Sequence, residues 1–460
     1  MRDIKGDRTE ELSSMPMKKL VFAMALPIMI SMLVQAFYNV VDSLYVSYIP
    51  DTAAIVNASD KAVQALTLSF PIQMLMVAFN TGTGVGVLSV LSRFLGKGDR
   101  ESASRVAGNA IFLGAVYYIG FMLFGIFGVN AFIGSQTQDP VTYSYAVSYL
   151  SVCTIGAFGT MGYFAFEKIL QATGQTTLAM IVQLAGACAN IVLDPFFIFG
   201  WCGIPAMGAK GAAVATVISQ CISCVLGVYI HYRYNRAINR SVRYMIPDGK
   251  IILSVYVIAI PAIFMSAMTS LMAYGMNKIL GSVSAAEVTA FGIYFKLQNF
   301  IYMPAFGLNN ALVPIVGFSY GAGRKDRIDD ALKWGLTDVF IIMGAGILLL
   351  QCFAPQITGI FAVSEEVQII TVKALRIITI GYFFAGANVI LQGYCQALGN
   401  GVYSLIISLL RMAALLLPLV WLFVKSGYGD LLWAAFPIAE LCALFFAVFS
   451  ARHLTKKRFA

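Results

Sequence analysis

Long apolar stretches alternate with short polar loops along most of the chain. Twelve stretches each hold about 20 or more mainly apolar residues, which is the length a helix needs to cross a hydrocarbon core of about 30 Å. The pattern predicts an all-α integral membrane protein with twelve transmembrane helices. An even number of crossings would place both chain termini on the same side of the membrane.

The second half of the sequence repeats the first. Residues 171–174 (QATG) return as 396–399 (QALG), and 96–98 (GKG) return as 321–323 (GAG), both at an offset of 225 residues. Only the first helix differs, because Pro27 matches Pro261 and the nine extra residues fall at 51–59. Six apolar stretches per copy predict two pseudo-symmetric six-helix lobes around a central cleft, an arrangement found in secondary transporters.

The duplication predicts the domain organisation of the chain. The predicted parts are a cytoplasmic tail at 1–14, an N-lobe with helices 1–6 at 15–235, a cytoplasmic inter-lobe linker at 236–249 and a C-lobe with helices 7–12 at 250–455. The linker belongs to the longest basic loop, and we expect it to act as a hinge.

Composition and charge support a membrane protein and set its orientation. Charged residues make up 12% of the chain, against about 25% in soluble domains. Most of the 31 lysines and arginines fall in loops on the side of the two termini, which predicts cytoplasmic termini in a cell membrane. The net charge of +9 is thus a topology signal, and nucleic acid is not an expected partner. The polar N-terminal tail shows no signal peptide.

Two acidic residues stand inside predicted spans of the N-lobe. Asp42 on helix 1 and Asp194 on helix 5 lie about seven and six residues before the exterior ends of their helices, so both are about 10 Å deep. Ionisable groups at such depth face the bundle interior or a wet cavity. The exterior half of these helices offers no lysine or arginine. We therefore expect the two acids to hold a proton, a metal cation or a cationic ligand.

Each acid has polar neighbours at helical spacing. Gln35, Tyr38 and Asn39 precede Asp42, and Asn190 lies one turn before Asp194. The alternative interpretation of such stripes is hydrogen bonding between helices. Oxygen ligands from the acids and Asn190 suit a sodium ion, and a protonated carboxyl group fits equally well. No structural metal site is expected.

Three prolines are predicted bend points: Pro27 on helix 1, Pro195 on helix 5 and Pro261 on helix 7. Pro195 leaves the carbonyl of Ile191 without its helical donor, which a membrane protein tolerates where the carbonyl lines a cavity. Static kinks are the alternative interpretation.

The predicted spans of the C-lobe contain a different set of charged residues. Arg411 on helix 11 and Glu440 on helix 12 both fall near mid-membrane, and we expect them to form a structural ion pair. Lys296 is predicted to be a second buried cation, and Asp338 has no assignable partner. Met265, Met268 and Met272 form part of a methionine stripe on helix 7, which suits either substrate binding or plain packing.

The residues around the two acids resemble the multidrug and toxic compound extrusion (MATE) family, most of all its DinF-type branch. The features are Asp42, the segment Asn190-x-x-x-Asp194-Pro195, and 211–216 (GAAVAT) opening helix 6. The resemblance covers about 15–450. It implies a monomeric antiporter, with no cofactor, that exports cationic or amphipathic organic compounds in exchange for protons or sodium ions. It also implies that Asp42, Asn190, Asp194 and Thr216 couple the cation.

Substrate contacts follow from this hypothesis. We expect a cationic substrate to use Gln35, Tyr38 and Asn39, with cation–π attraction from the Tyr38 ring, and the methionine stripe at Met265, Met268 and Met272. A flippase for a lipid-linked metabolite is the alternative, although it should need a basic cluster in the cleft. An enzyme is not expected, because the only histidines, His231 and His453, lie at helix ends and no nucleophile–base set accompanies them.

Overall fold

All secondary structure in the described part of the chain is helical. The computed structural model describes residues 9–50, 57–361, 363–427 and 429–459. Within these ranges, eleven helices are long and apolar enough to cross a membrane, and a bent pair makes a twelfth. The start of the predicted tail (1–8) and most of the predicted 51–59 insertion (51–56) lie outside the described residues.

The first half contains nine helices among the described residues. They are α1 (Thr9–Ser14), α2 (Met17–Ser47), α3 (Ala58–Gly96), α4 (Arg100–Phe127), α5 (Val129–Gly134), α6 (Pro140–Ile155), α7 (Phe158–Ala172), α8 (Thr176–Phe199) and α9 (Ala209–Tyr234). Helices α1 and α5 are single short turns, and the other seven form the six spans.

The second half follows the same plan. Its helices are α10 (Gly249–Gly281), α11 (Ala285–Gly321), α12 (Lys325–Gly359), α13 (Glu365–Ile378), α14 (Tyr382–Ala397), α15 (Gly401–Leu409), α16 (Leu416–Lys425) and α17 (Ala435–Phe459). A π-helix at Leu410–Ala414 joins α15 to α16, so these two helices form one span.

The fourth span of the first half is not one continuous helix, because it consists of α6 and α7. α6 and α7 meet at a bend of 46°, beside Gly156. A Cβ atom at Gly156 would lie 2.6 Å from the Val217 side chain of α9. The close approach of α9 therefore requires glycine at the point where the helix breaks.

Helices α3 and α11 cross each other backbone to backbone near the chain termini. A Cβ atom on Gly96 would lie 2.0 Å from the carbonyl oxygen of Phe318, and a Cβ atom on Gly321 would lie 2.0 Å from that of Arg93. Both pairs of equivalent residues are 225 positions apart, so the crossing has the two-fold symmetry of the sequence repeat. We call the side of the molecule where α2 begins the terminal side, and the opposite side the far side.

Further contacts between the halves lie in the same region. A Cβ atom on Gly82 of α3 would lie 2.4 Å from the Ile263 side chain of α10, and one on Gly307 of α11 would lie 2.8 Å from the Cα atom of Met29 of α2. The Tyr117 and Tyr256 hydroxyls are 2.5 Å apart. Apart from Tyr117, which lies just past the middle of α4, the residues of these contacts belong to the stretches of α2, α3, α10 and α11 nearer the terminal side.

The linker between the halves is bound to α4. The Asn109 side chain donates to the carbonyl of Ile246 at 3.4 Å and accepts from the backbone amide of Asp248 at 2.9 Å. Asp248 also caps α10, and the hydrogen bond from the Ile251 amide lowers the pKa of this carboxyl group. The predicted hinge is therefore fixed to the first half at the end that leads into α10.

Candidate functional site

The two acidic residues of the first half lie on neighbouring helices. Asp194 of α8 is fully buried, and Asp42 of α2 is half-buried. The Asn190 amide donates to Oδ1 of Asp194 at 3.3 Å and to Oγ1 of Thr216 at 3.4 Å. Helix α9 places Thr216 there because its small residues let it pack closely: a Cβ atom at Gly211 would lie 2.3 Å from the carbonyl oxygen of Phe197.

Three buried oxygen atoms of this group accept no hydrogen bond from any described residue. They are Oδ1 of Asp42, Oδ2 of Asp194 and Oδ1 of Asn190. No described lysine, arginine or histidine forms an ion pair with either acid, although the two acids interact electrostatically with each other. Unpartnered buried carboxylate oxygens are costly, so this group can hold a proton or a hard cation such as sodium.

A cavity between α2, α7, α8 and α9 begins at Asn190 and Thr216, which line it, whereas neither acid is among its lining residues. Together with the open space at its mouth it contains about 450 Å³, of which about 60 Å³ can hold the centre of a water molecule. Its walls include Gln35, Tyr38, Tyr163, Gln183, Asn190, Thr216, Ser219 and Gln220. The amide of Gln183 donates to Oε1 of Gln35 at 2.8 Å, so these two residues line the cavity and also join α2 to α8.

Several polar side chains that line the cavity were not predicted from the sequence. Tyr163 of α7, together with Ser219 and Gln220 of α9, lines the cavity, and the Thr160 hydroxyl donates to Oε1 of Gln220. Gln220 is a polar residue in a mainly apolar span, which is the same signal that identified Gln35. Tyr163 gives no such signal, because a tyrosine in a span is common in packing.

The second half carries a charged side chain at a position that lines this cavity in the first half. The sequence offset of 225 residues pairs Gly186 with Arg411 and Ser219 with Leu444. The other lining positions change in both directions, because Tyr163 pairs with the smaller Asn388 and Gln183 with the smaller Ser408. What distinguishes the second half at these positions is a charged side chain, that of Arg411.

Arg411 forms the ion pair with Glu440 that occupies this region. Nε and Nη2 of Arg411 lie 2.7 and 2.8 Å from the two carboxylate oxygens. Asn388 donates to Oε2 of Glu440 at 2.8 Å, and Gln392 accepts a weak hydrogen bond from Arg411 at 3.5 Å. The π-helix at Leu410–Ala414 carries Arg411. A fixed guanidinium thus neutralises the acid that lies here, whereas Asp42 and Asp194 have no such partner.

Separating this ion pair should destabilise the protein. We expect Arg411→Met to cost about 3–5 kcal/mol, because Glu440 then stays buried without a cation, and we expect Arg411→Met combined with Glu440→Leu to recover most of the loss. Thermal unfolding in detergent measures both. The matched control, Lys61→Met, breaks the more exposed ion pair with Asp139 and should cost less than about 1 kcal/mol. A double variant as unstable as the single one would contradict the expectation.

Two predictions for the second half need correction. Lys296 is exposed, not buried, because it lies on an exposed face of α11 that also carries Gly292 and Phe300. Met272 has 5% exposure and belongs to the hydrophobic core, so it does not line an open surface. Met265 and Met268 are half-buried, and Sδ of Met265 accepts a hydrogen bond from Gln396 at 3.6 Å.

The remaining predicted residues are found on the expected helices. Asn39 is exposed on α2. Helices α2, α8 and α10 continue through Pro27, Pro195 and Pro261, so none of the three prolines ends its helix. Their action as hinges stays a prediction.

Comparison with known proteins identifies the architecture. The MatE family model matches the chain twice, at residues 27–196 and 261–422. The multidrug export protein MepA of Staphylococcus aureus is 23% identical over 452 residues, covering 96% of this chain and 95% of the relative. MepA of Staphylococcus saprophyticus is also 23% identical, covering 91% and 90%.

Solved structures share the fold. A multidrug resistance MATE family transporter of the MOP superfamily in its outward-facing conformation superposes with a TM-score of 0.90 at 22% identity, over 99% of both chains. A MOP superfamily transporter from Pyrococcus furiosus gives 0.89 at 23% identity, also over 99% of both chains. The predicted all-α fold with two six-helix lobes is confirmed. Since the family model matches both halves of the sequence, the chain belongs to the MatE family of membrane transporters.

Proposed function

We propose that the protein is a secondary active antiporter that exports cationic or amphipathic organic compounds in exchange for protons or sodium ions. The observation that carries the proposal is the pair of acids, Asp42 and Asp194, whose buried oxygens have no cationic partner among the described residues. The names of the MepA relatives and the resemblance to the DinF-type branch support export of drugs. We further propose a monomer in the cell membrane with the terminal side in the cytoplasm.

The conformation supports alternating access. The glycine contacts between the halves lie towards the terminal side, which corresponds to a cleft closed there and open to the far side. In this state a proton or sodium ion from outside would reach Asp42 and Asp194, with Asn190 and Thr216 completing the oxygen ligands. Occupancy by the ion reduces the negative charge of the two acids and disfavours a cationic substrate, which then leaves to the outside.

The return step reverses this competition. Once the ion leaves to the cytoplasm, the acids regain negative charge and attract a cationic substrate. Tyr38 lines the cavity, and its ring offers a face for cation–π attraction. Because ion and substrate compete for the same charges, each can drive the movement of the other without any chemical reaction.

Efflux of a cationic dye under separately imposed gradients tests this function. In proteoliposomes with the terminal side facing the bath, we expect the dye to accumulate in the lumen when protons or sodium ions are more concentrated in the lumen than in the bath, and not without a gradient. The gradient that supports accumulation identifies the coupling ion. Accumulation that is independent of both gradients would contradict antiport.

A further inference from the structure

The faces of α2, α3, α10 and α11 that turn towards the other half carry one charged residue within the membrane. In the sequence, the stretches 20–41, 62–92, 251–277 and 288–323 of these helices contain Lys296 and no other charged residue. Lys296 lies eleven residues from the start of α11 at Ala285, which is about 16 Å and close to mid-membrane. Its side chain is exposed.

Helix geometry directs Lys296 towards the first half. On α11, residues 296, 303, 307 and 310 share one face because they are three, four or seven positions apart. Gly307 of this face contacts Met29 of α2, and the Asn310 amide lies 3.9 Å from Sδ of Met32 on the same helix. The same face continues to Lys296, where the halves have separated. The lysine therefore projects into the central cleft, in which water can solvate its charge.

No acid among the described residues neutralises Lys296. No described ion pair or hydrogen bond involves its amino group, and Glu287 lies nine residues away, on the opposite side of α11. Asp42 follows Met29 by thirteen residues and points away from the face of α2 that contacts α11. The ammonium group is thus free to bind an anion that enters the cleft.

The lysine has both apolar and polar neighbours on α11, since Asn299, three residues along, is exposed as well. Phe300 lies one turn along α11 and is 43% exposed, while Phe70 and Met74 of α3 are 53% and 38% exposed. At the position equivalent to Lys296, α3 carries Pro71. The exposed faces of α11 and α3 therefore combine large apolar side chains with the positive charge of Lys296.

We propose that Lys296 selects substrates: the cleft binds amphipathic compounds that carry an acidic group, including zwitterions, with the anion on Lys296 and the apolar body against the aromatic walls. This inference rests on the proposed export function and names a substrate class for its cleft. The acids of the first half would attract the cationic part of a zwitterion, and Lys296 would bind its anionic part.

A pair of dyes that differ in one ester tests the proposal. Rhodamine 110 carries a free carboxylate, and rhodamine 123 is its methyl ester. With the full-length protein in nanodiscs of zwitterionic lipid and without any gradient, we expect Lys296→Gln to weaken binding of rhodamine 110 about tenfold, equivalent to about 1.4 kcal/mol. Binding of rhodamine 123 should change by less than about twofold, and Lys296→Arg should retain the wild-type preference.

Two controls make the result specific. Lys210→Gln removes an exposed charge at the far-side start of α9 and should leave both affinities unchanged. Addition of phosphatidylglycerol to the nanodiscs tests whether lipid phosphate is a source of the anion. If the lipid competes with rhodamine 110, and Lys296→Gln abolishes this competition, then lipid phosphate also binds to Lys296. If the lipid does not compete, the site binds soluble amphipaths alone. Equal loss of both dyes in Lys296→Gln, or an unchanged preference, would overturn the proposal.

Failure of the export function has a different signature. Gradient-driven efflux measured on the same variants separates the two ideas. Intact efflux with no change of preference in Lys296→Gln rejects the role of Lys296 only. A Lys296-dependent preference without gradient-driven efflux rejects antiport and leaves the binding site in place.

Discussion

Asp194→Asn and Asp42→Asn should each reduce gradient-driven dye efflux to the rate of protein-free liposomes. Both substitutions keep the size of the side chain and remove the charge that ion and substrate are proposed to share. An asparagine at 194 can still accept the hydrogen bond from Asn190 that Asp194 accepts now, so the fold should persist. Efflux in proteoliposomes and the elution profile of the purified protein measure function and folding separately.

The control for this prediction is an acid away from the cavity. Asp60 lies exposed in the first turn of α3, and Asp60→Asn should transport at the wild-type rate. Normal exchange in both Asp42→Asn and Asp194→Asn would remove the basis of the coupling scheme. Loss of exchange in Asp60→Asn as well would mean that the assay responds to surface charge and not to the site.

The sequence was sufficient to predict the duplication and the location of the acids. Charged residues in spans are rare because burial is costly, so Asp42, Asp194, Arg411 and Glu440 are conspicuous in an apolar chain. Their spacing from the helix ends gives their depth. Pairing of Arg411 with Glu440 followed because both lie near mid-membrane and carry opposite charges.

The sequence does not determine how each helix is rotated about its own axis, and therefore which of its faces is buried against other helices. Met272 and Lys296 both lie in spans, yet the first is buried in the core and the second is exposed. Hydrophobic periodicity is weak where core and lipid are equally apolar, so it cannot distinguish these environments. Tyr163 was missed for the same reason.

The two glycines that the repeat shares, Gly96 and Gly321, could be interpreted only with the structure. The glycines at 96 and 321 were evident as matching positions, but a glycine in a loop-end motif is more commonly a helix cap. Only the crossing of α3 and α11 reveals that each glycine accommodates a carbonyl of the other helix. The two-fold symmetry of this contact explains why the motif occurs in both halves.

Gly96→Ala and Gly321→Ala should each shift the protein towards a state open on the terminal side. The added methyl group would lie 2.0 Å from a carbonyl oxygen of the opposing helix, so α3 and α11 must separate where they now cross. Overpacking of this kind costs about 1–3 kcal/mol, which corresponds to about a 5- to 150-fold change in the ratio of the two states.

Distances between spin labels on Lys97 and Arg324, in a background without reactive cysteines, report this opening. We expect the distances between the labels to increase in both variants. Gradient-driven efflux should also fall, because the state that is open to the far side is less populated when the terminal side cannot close. Gly120→Ala is the matched control, since a Cβ atom at this position of α4 meets nothing within 4 Å, and it should change neither measurement. Unchanged distances in Gly96→Ala and Gly321→Ala would show that the crossing does not hold the terminal side closed.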